Sequence, residues 1–197
     1  LHTALSGRDE EPATCVAPRW LFYRLLGVVF ACAFGSLWRQ ADGLIGSEGI
    51  APIANAFAPI PLTQAQADPA GAAMRLLTFP SVFLFTGAGD GAIQGAAIAG
   101  LVASLLLMAG ILPPLTAFAA WFLYLSFVTA DGPFFRLEAD LLLVEVGFLA
   151  ILFAPWQALP GPFKKSQPSP TLAFLFRLLL FRLVFASGLA KAGAAMW

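Results

Sequence analysis

Ionisable side chains fall inside segments that are otherwise apolar, among them Arg24, then Glu138, Asp140 and Glu145, then Arg177, Arg182 and Lys191. A charge at bilayer depth costs about 2.5–3.5 kcal/mol on insertion scales, so such a group turns to the interior of a bundle and takes a partner. One segment is acidic and its sequence neighbour basic. Glu138 and Glu145 are seven residues apart and share a helix face, while Arg177 and Lys191, fourteen apart, share another. Glu145 lies ten residues before Pro155, and Arg182 eleven after Thr171. In consecutive antiparallel helices rising about 1.5 Å per residue, both reach mid-membrane. A Glu145–Arg182 pair is therefore expected, with Arg24 as the rival partner. Such a network fixes helix register, or it handles a substrate or a proton; charges near segment ends snorkel to water.

Other chemistries lack their parts. The one histidine is His2, and the two cysteines are Cys15 and Cys32. No metal site, disulfide framework or cofactor is expected from that inventory. Ser36, Ser126 and Ser187 have no histidine near them in sequence, which removes a serine triad. The glycine-rich run 87–91 follows no strand and precedes no GK[ST], so it is a loop and not a phosphate cradle. Eleven basic and eleven acidic residues leave no net charge to attract nucleic acid.

The elements that must position these charges are set by composition. The chain is 59% hydrophobic and 11% charged, with mean hydropathy +0.83. Soluble domains are about 45–50% apolar and about 25% charged. The excess requires an apolar solvent, and the fold class expected is all-α: a multi-pass transmembrane helical bundle of about five spans in a lipid bilayer. A span needs about 20 apolar residues. The segments 18–38, 93–112, 114–129, 137–155 and 171–191 qualify, with 18–191 as the transmembrane domain. The loop 39–91 contains an apolar piece, 76–85, too short to cross and so interfacial or re-entrant. Pro113-Pro114 makes the second and third spans a tight antiparallel hairpin. Asp131-Gly132 reads as a turn. Residues 1–17 form a polar tail without the basic-then-apolar order of a secretory signal, so the first span is retained. The faint Lys/Arg bias of the loops places the N-terminus inside. The chain begins with Leu1, and residues 192–197 are expected to start a following domain, as in a fragment.

Several strings resemble the lipase maturation factor family. WLFYRLLGVVFACAFGSLWRQADGLIGSEGIAPI resembles its first span and following loop, with R-L-x-G, S-L-W-x-Q and G-L-x-G-x-x-G-I-x-P. LYLSFV, then FFRLEADLLLVEVGFLAILFAPW, resembles the signature around its fourth span, and FRLLLFRLVFASGLAKAG its fifth. The likeness runs along nearly the whole chain in order. It departs in the fourth span, where Glu138 and Ala139 replace a commonly neutral residue and Trp. The resemblance implies a non-enzymatic membrane scaffold that assists maturation of secreted lipases, with the lipase client engaged through a further C-terminal domain. In animals the family acts in the endoplasmic reticulum membrane. The Ala-rich composition and three Lys against eight Arg instead suggest a bacterial inner membrane. A rival likeness rests on the ending SGLAKAGAAMW. It resembles the G-x-x-K-x-x-x-x-W stretch of vitamin K-dependent carboxylases and of quinone-linked proteins of the DoxX type, with one residue more between Lys191 and Trp197, and the likeness implies Lys191 as a catalytic base. There Ala195-Met196 replaces the acidic residue before Trp197.

Overall fold

The computed structural model of the chain describes residues 16–57, 80–130, 138–154 and 170–194. Among them every regular element is helical: α1 (Val16–Leu44), α2 (Ala54–Phe57), α3 (Phe83–Thr86), α4 (Asp90–Ala109), α5 (Pro113–Val128), α6 (Glu138–Phe153) and α7 (Pro170–Ala194). The tail before residue 16, residues 58–79, the turn at Asp131-Gly132 and residues 195–197 lie outside the described residues.

Among the described residues, three stretches are long and apolar enough to cross a membrane: Pro18–Leu44, Asp90–Ala109 and Thr171–Leu189. Twenty helical residues measure roughly 30 Å, the thickness of the hydrocarbon core. α5 and α6 have 16 residues each, roughly 24 Å. The helices turn Leu, Val and Phe outward, among them Leu25, Phe118, Leu152 and Phe181. A helix apolar on all sides belongs in a core or in lipid. Several element ends differ from the hydropathy boundaries, two of them by extra polar turns. α1 runs on to Leu44, and α4 starts at Asp90. Polar helical turns at the ends of a span lower hydropathy without breaking the helix, so a hydropathy window stops short of them.

α1 lies along α4, and glycines set the distance. A Cβ on Gly27 would come within 2.7 Å of the Met108 backbone nitrogen, and one on Gly100 would collide with the Phe34 ring. Small residues at such crossings let backbones approach closely. Phe30, Phe34, Ile93, Leu107 and Phe127 are fully buried at the centre. α4 ends on Gly110, whose positive φ of 81° is the usual helix-terminating conformation. The Ile111 amide donates back to Leu106 O at 3.0 Å, as in a Schellman ending. Leu112 follows at φ 46°, and Pro113 and Pro114 open α5, where proline's missing N–H costs nothing. The α4–α5 link is thus three residues. α6 packs on α5, whereas α7 meets α6 more sparingly.

Of the expected interfacial or re-entrant piece 76–85, residues from Pro80 onward are described. Phe83 and Leu84 are buried. The Val82 amide donates to Ser126 Oγ at 2.9 Å, and Ser81 Oγ donates to Ser126 O at 3.3 Å. These bonds fasten α3 to the C-terminal end of α5 and meet backbone groups that lipid would leave unsatisfied.

Candidate functional site

The centre of the candidate site is an ion pair between the last two helices. Arg182 Nη2 donates to Glu145 Oε1 at 2.7 Å and to Oε2 at 2.5 Å. Glu145 is the eighth of the 16 residues of α6, and Arg182 is the thirteenth of the 25 of α7. Both are at mid-helix. The Arg182 side chain is 63% exposed and that of Glu145 35%, so the pair looks outward from the bundle. It borders a groove of about 480 Å³ between α6 and α7, walled by Phe148, Leu149, Leu178, Phe181 and Phe185.

Aromatic packing brings these helices together. Phe176 of α7 sits edge-on to Phe22 of α1 and Phe153 of α6, each at 5.4 Å between ring centres. Beyond that cluster α7 leaves the bundle, and residues 180–189 are exposed. Among the described residues, the Glu145–Arg182 pair is therefore the ion pair that ties α7 to the rest. In a low dielectric such a pair adds little net stability over apolar packing, but removing one partner is costly.

The other charges do not join this pair. Arg24 lies 4.0 Å above the Trp20 ring and donates to Ala109 O at 3.2 Å. It caps the C-terminus of α4, where a cation meets the negative end of the helix dipole. The expectation that Arg24 competes for Glu145 is corrected on this point. The start of α1 and the end of α4 share one end of the bundle, and the open carbonyls there are the nearer acceptors. Asp140 takes a neutral partner: the Tyr124 hydroxyl donates to its Oδ1 at 2.5 Å. Glu138 begins α6, and its side chain lies outside the described residues. Arg177 and Lys191 are exposed, Lys191 in the last turn of α7. Among the described residues neither forms an ion pair. Among the described residues these charges make separate contacts.

Some tying residues escape a search for charges. Tyr23 donates its hydroxyl to Ala150 O at 2.6 Å, and Trp121 its indole N–H to Val144 O at 2.9 Å. Two aromatic donors from α1 and α5 thus grip backbone carbonyls of α6. Gly147 between them leaves room, since a Cβ there would lie 2.9 Å from Trp121 Cδ1. Tyr124 packs edge-on to Phe30 and Phe34. Arg19 is buried at 7% exposure in α1, with Phe153 5.8 Å from its guanidinium. The signal in sequence was a tyrosine or tryptophan well inside a span, where its polar atom needs an acceptor.

At the opposite end of the bundle from Arg24, Asp90 opens α4 and accepts from Ser47 N–H at 2.7 Å and Ser47 Oγ at 2.6 Å. Gln94 donates to Asp42 at 2.7 Å. A carboxylate in the first turn suits the helix dipole, and these bonds order the turn after α1. No three His, Cys, Asp or Glu side chains among the described residues are grouped to hold a metal ion.

Comparison with known proteins adds a second line of evidence. A family profile described as the lipase maturation factor transmembrane domain matches residues 17–197. Human lipase maturation factor 2 is 33% identical over 190 residues, covering 88% of this chain and 26% of its own. The rat protein of that name is 32% identical over 195 residues, covering 91% and 26%. Bovine lipase maturation factor 1 is 27% identical over 178 residues, covering 88% and 31%. The chain therefore spans about a quarter of the length of the curated lipase maturation factor 2 relatives. No solved structure matches it.

Proposed function

The chain belongs to the lipase maturation factor family, and from that premise we propose that it is the membrane scaffold of a protein assisting the folding or assembly of secreted lipases. The observation that carries this reading is the family match over residues 17–197, which takes in the described helices but for Val16. The structure supports it in kind. The charged and polar groups inside the bundle are engaged in fixing helices: Glu145 with Arg182, Asp140 with Tyr124, Tyr23 and Trp121 with α6 carbonyls.

The chain is an integral membrane protein. The vertebrate origin of the relatives favours an endoplasmic reticulum membrane over a bacterial inner membrane. The client, a secreted lipase, would be engaged through parts of the protein beyond this segment. The experiment is to remove the gene from its source cell and measure a secreted lipase as activity per amount of antigen. The reading expects that ratio to fall and to return with the full-length gene. An unchanged ratio for the cell's secreted lipases overturns it.

A further inference from the structure

We propose that the groove between α6 and α7 is a docking site for a membrane-spanning helix of another protein that carries a hydrogen-bond acceptor near its middle. The inference does not depend on the lipase-maturation reading. It starts from the arginine. A guanidinium has five N–H donors in a rigid fork. Glu145 takes bonds from Nη2 alone. The three N–H groups on Nη1 and Nε have no acceptor among the described residues. In hydrocarbon an unmet donor costs far more than in water, so whatever fills the groove is selected for bringing an acceptor to it.

Depth decides which occupant does so. Thr171–Leu189 is the stretch of α7 able to cross. Its centre is residue 180, and Arg182 is two residues away, roughly 3 Å along the axis. The acceptors of a phospholipid lie at the headgroups, about 15 Å from the midplane of a hydrocarbon core about 30 Å thick. A lipid in the groove leaves the arginine unmet. A second copy approaching through its own α7 brings another guanidinium to the same depth. A Gln, Asn, Ser or Thr midway along a partner helix supplies the missing acceptor.

The shape agrees. The groove follows α7 from Leu175 to Phe185, roughly 15 Å along the axis, and is open along its side. Its walls are leucine and phenylalanine on two neighbouring helices, the form of surface a third helix lies against. Past Arg182, Ala186 and Ser187 line a smaller hollow of about 200 Å³, where small side chains permit close approach.

The test uses the purified chain in phosphatidylcholine vesicles with labelled leucine-rich transmembrane peptides bearing either Gln or Leu at the centre. Association is read by energy transfer from a donor on the protein. Interhelical hydrogen bonds in membranes correspond to a preference of about 3-fold on average and up to about 18-fold, and the Gln peptide is expected to bind more tightly by that factor. The preference should vanish in the Glu145→Leu/Arg182→Leu double variant, which leaves no charge unpaired. Leu178→Trp, which fills the groove and keeps the pair, should weaken the Gln peptide. Equal binding of the two peptides to the wild-type chain, or the same preference in the double variant, overturns the proposal. So does an apolar small molecule extracted from the purified protein whose readdition displaces the Gln peptide but not from the Leu178→Trp variant.

Discussion

Replacing Arg182 or Glu145 alone should damage the bundle far more than replacing both. Arg182 Nη2 bonds both oxygens of Glu145, and the pair is central in both helices, out of reach of water along either axis. Glu145→Leu leaves an unpaired guanidinium near the midplane. Its cost there is about 3 kcal/mol on insertion scales. Arg182→Leu leaves a carboxylate on a helix held by Tyr23 and Trp121. Its loss should be of the same order, about 3 kcal/mol. The double leucine variant removes both charges and extends the apolar wall of the groove. It should stay within about 1 kcal/mol of wild type. For a chain of this length about 3 kcal/mol corresponds to roughly 6–12 °C in melting temperature. The assay is thermal unfolding in detergent micelles of the four proteins as a double-mutant cycle. Losses that add in the double variant would refute the reasoning, because they would mean the two groups do not compensate each other.

Three further outcomes follow from contacts elsewhere. Tyr124→Phe removes the donor to Asp140 and should cost about 1.5–3 kcal/mol, the range for hydrogen bonds to charged groups; Tyr124→Phe combined with Asp140→Leu should recover part of it, both measured as shifts in melting temperature. Gly100→Ala meets the Phe34 ring, whereas a Cβ on Gly95 finds open space, so Gly100→Ala should destabilise by about 1–3 kcal/mol and Gly95→Ala should be neutral or mildly stabilising in the same assay. Cysteine labelling from one side of the membrane should reach positions 6 and 166 together and position 66 from the other side; position 66 labelled with the first two contradicts five spans.

What the sequence made legible, it made legible through depth. Glu145 and Arg182 are placed by counting residues from Pro155 and Thr171, and a count along a helix axis is reliable when helices run antiparallel across a fixed thickness. Rotation about each axis is another matter. α4, α5 and α6 are apolar on nearly every side, so no hydrophobic face tells which residues turn inward. That is why Asp140 could be found as a charge but its partner Tyr124 could not, and why Arg24 was set against Glu145 when its acceptor is the end of α4. The bonds of Tyr23 and Trp121 were not legible because their backbone acceptors on α6 have no sequence signature. The inward fold of Pro80–Phe85 depends on Ser81 and Ser126, two residues 45 apart in the chain, which no local pattern connects.

If the charged residues of this bundle support a scaffold, as proposed above, then Lys191, exposed in the last turn of α7, is dispensable for it. The most direct measurement takes cells in which the full-length protein carries Lys191→Ala and determines the activity of a co-expressed secreted lipase per amount of lipase antigen, with the protein's own membrane level measured alongside. The scaffold account predicts a ratio equal to wild type. A ratio that collapses to that of cells lacking the gene, while the variant stays folded and at full level in the membrane, would contradict it.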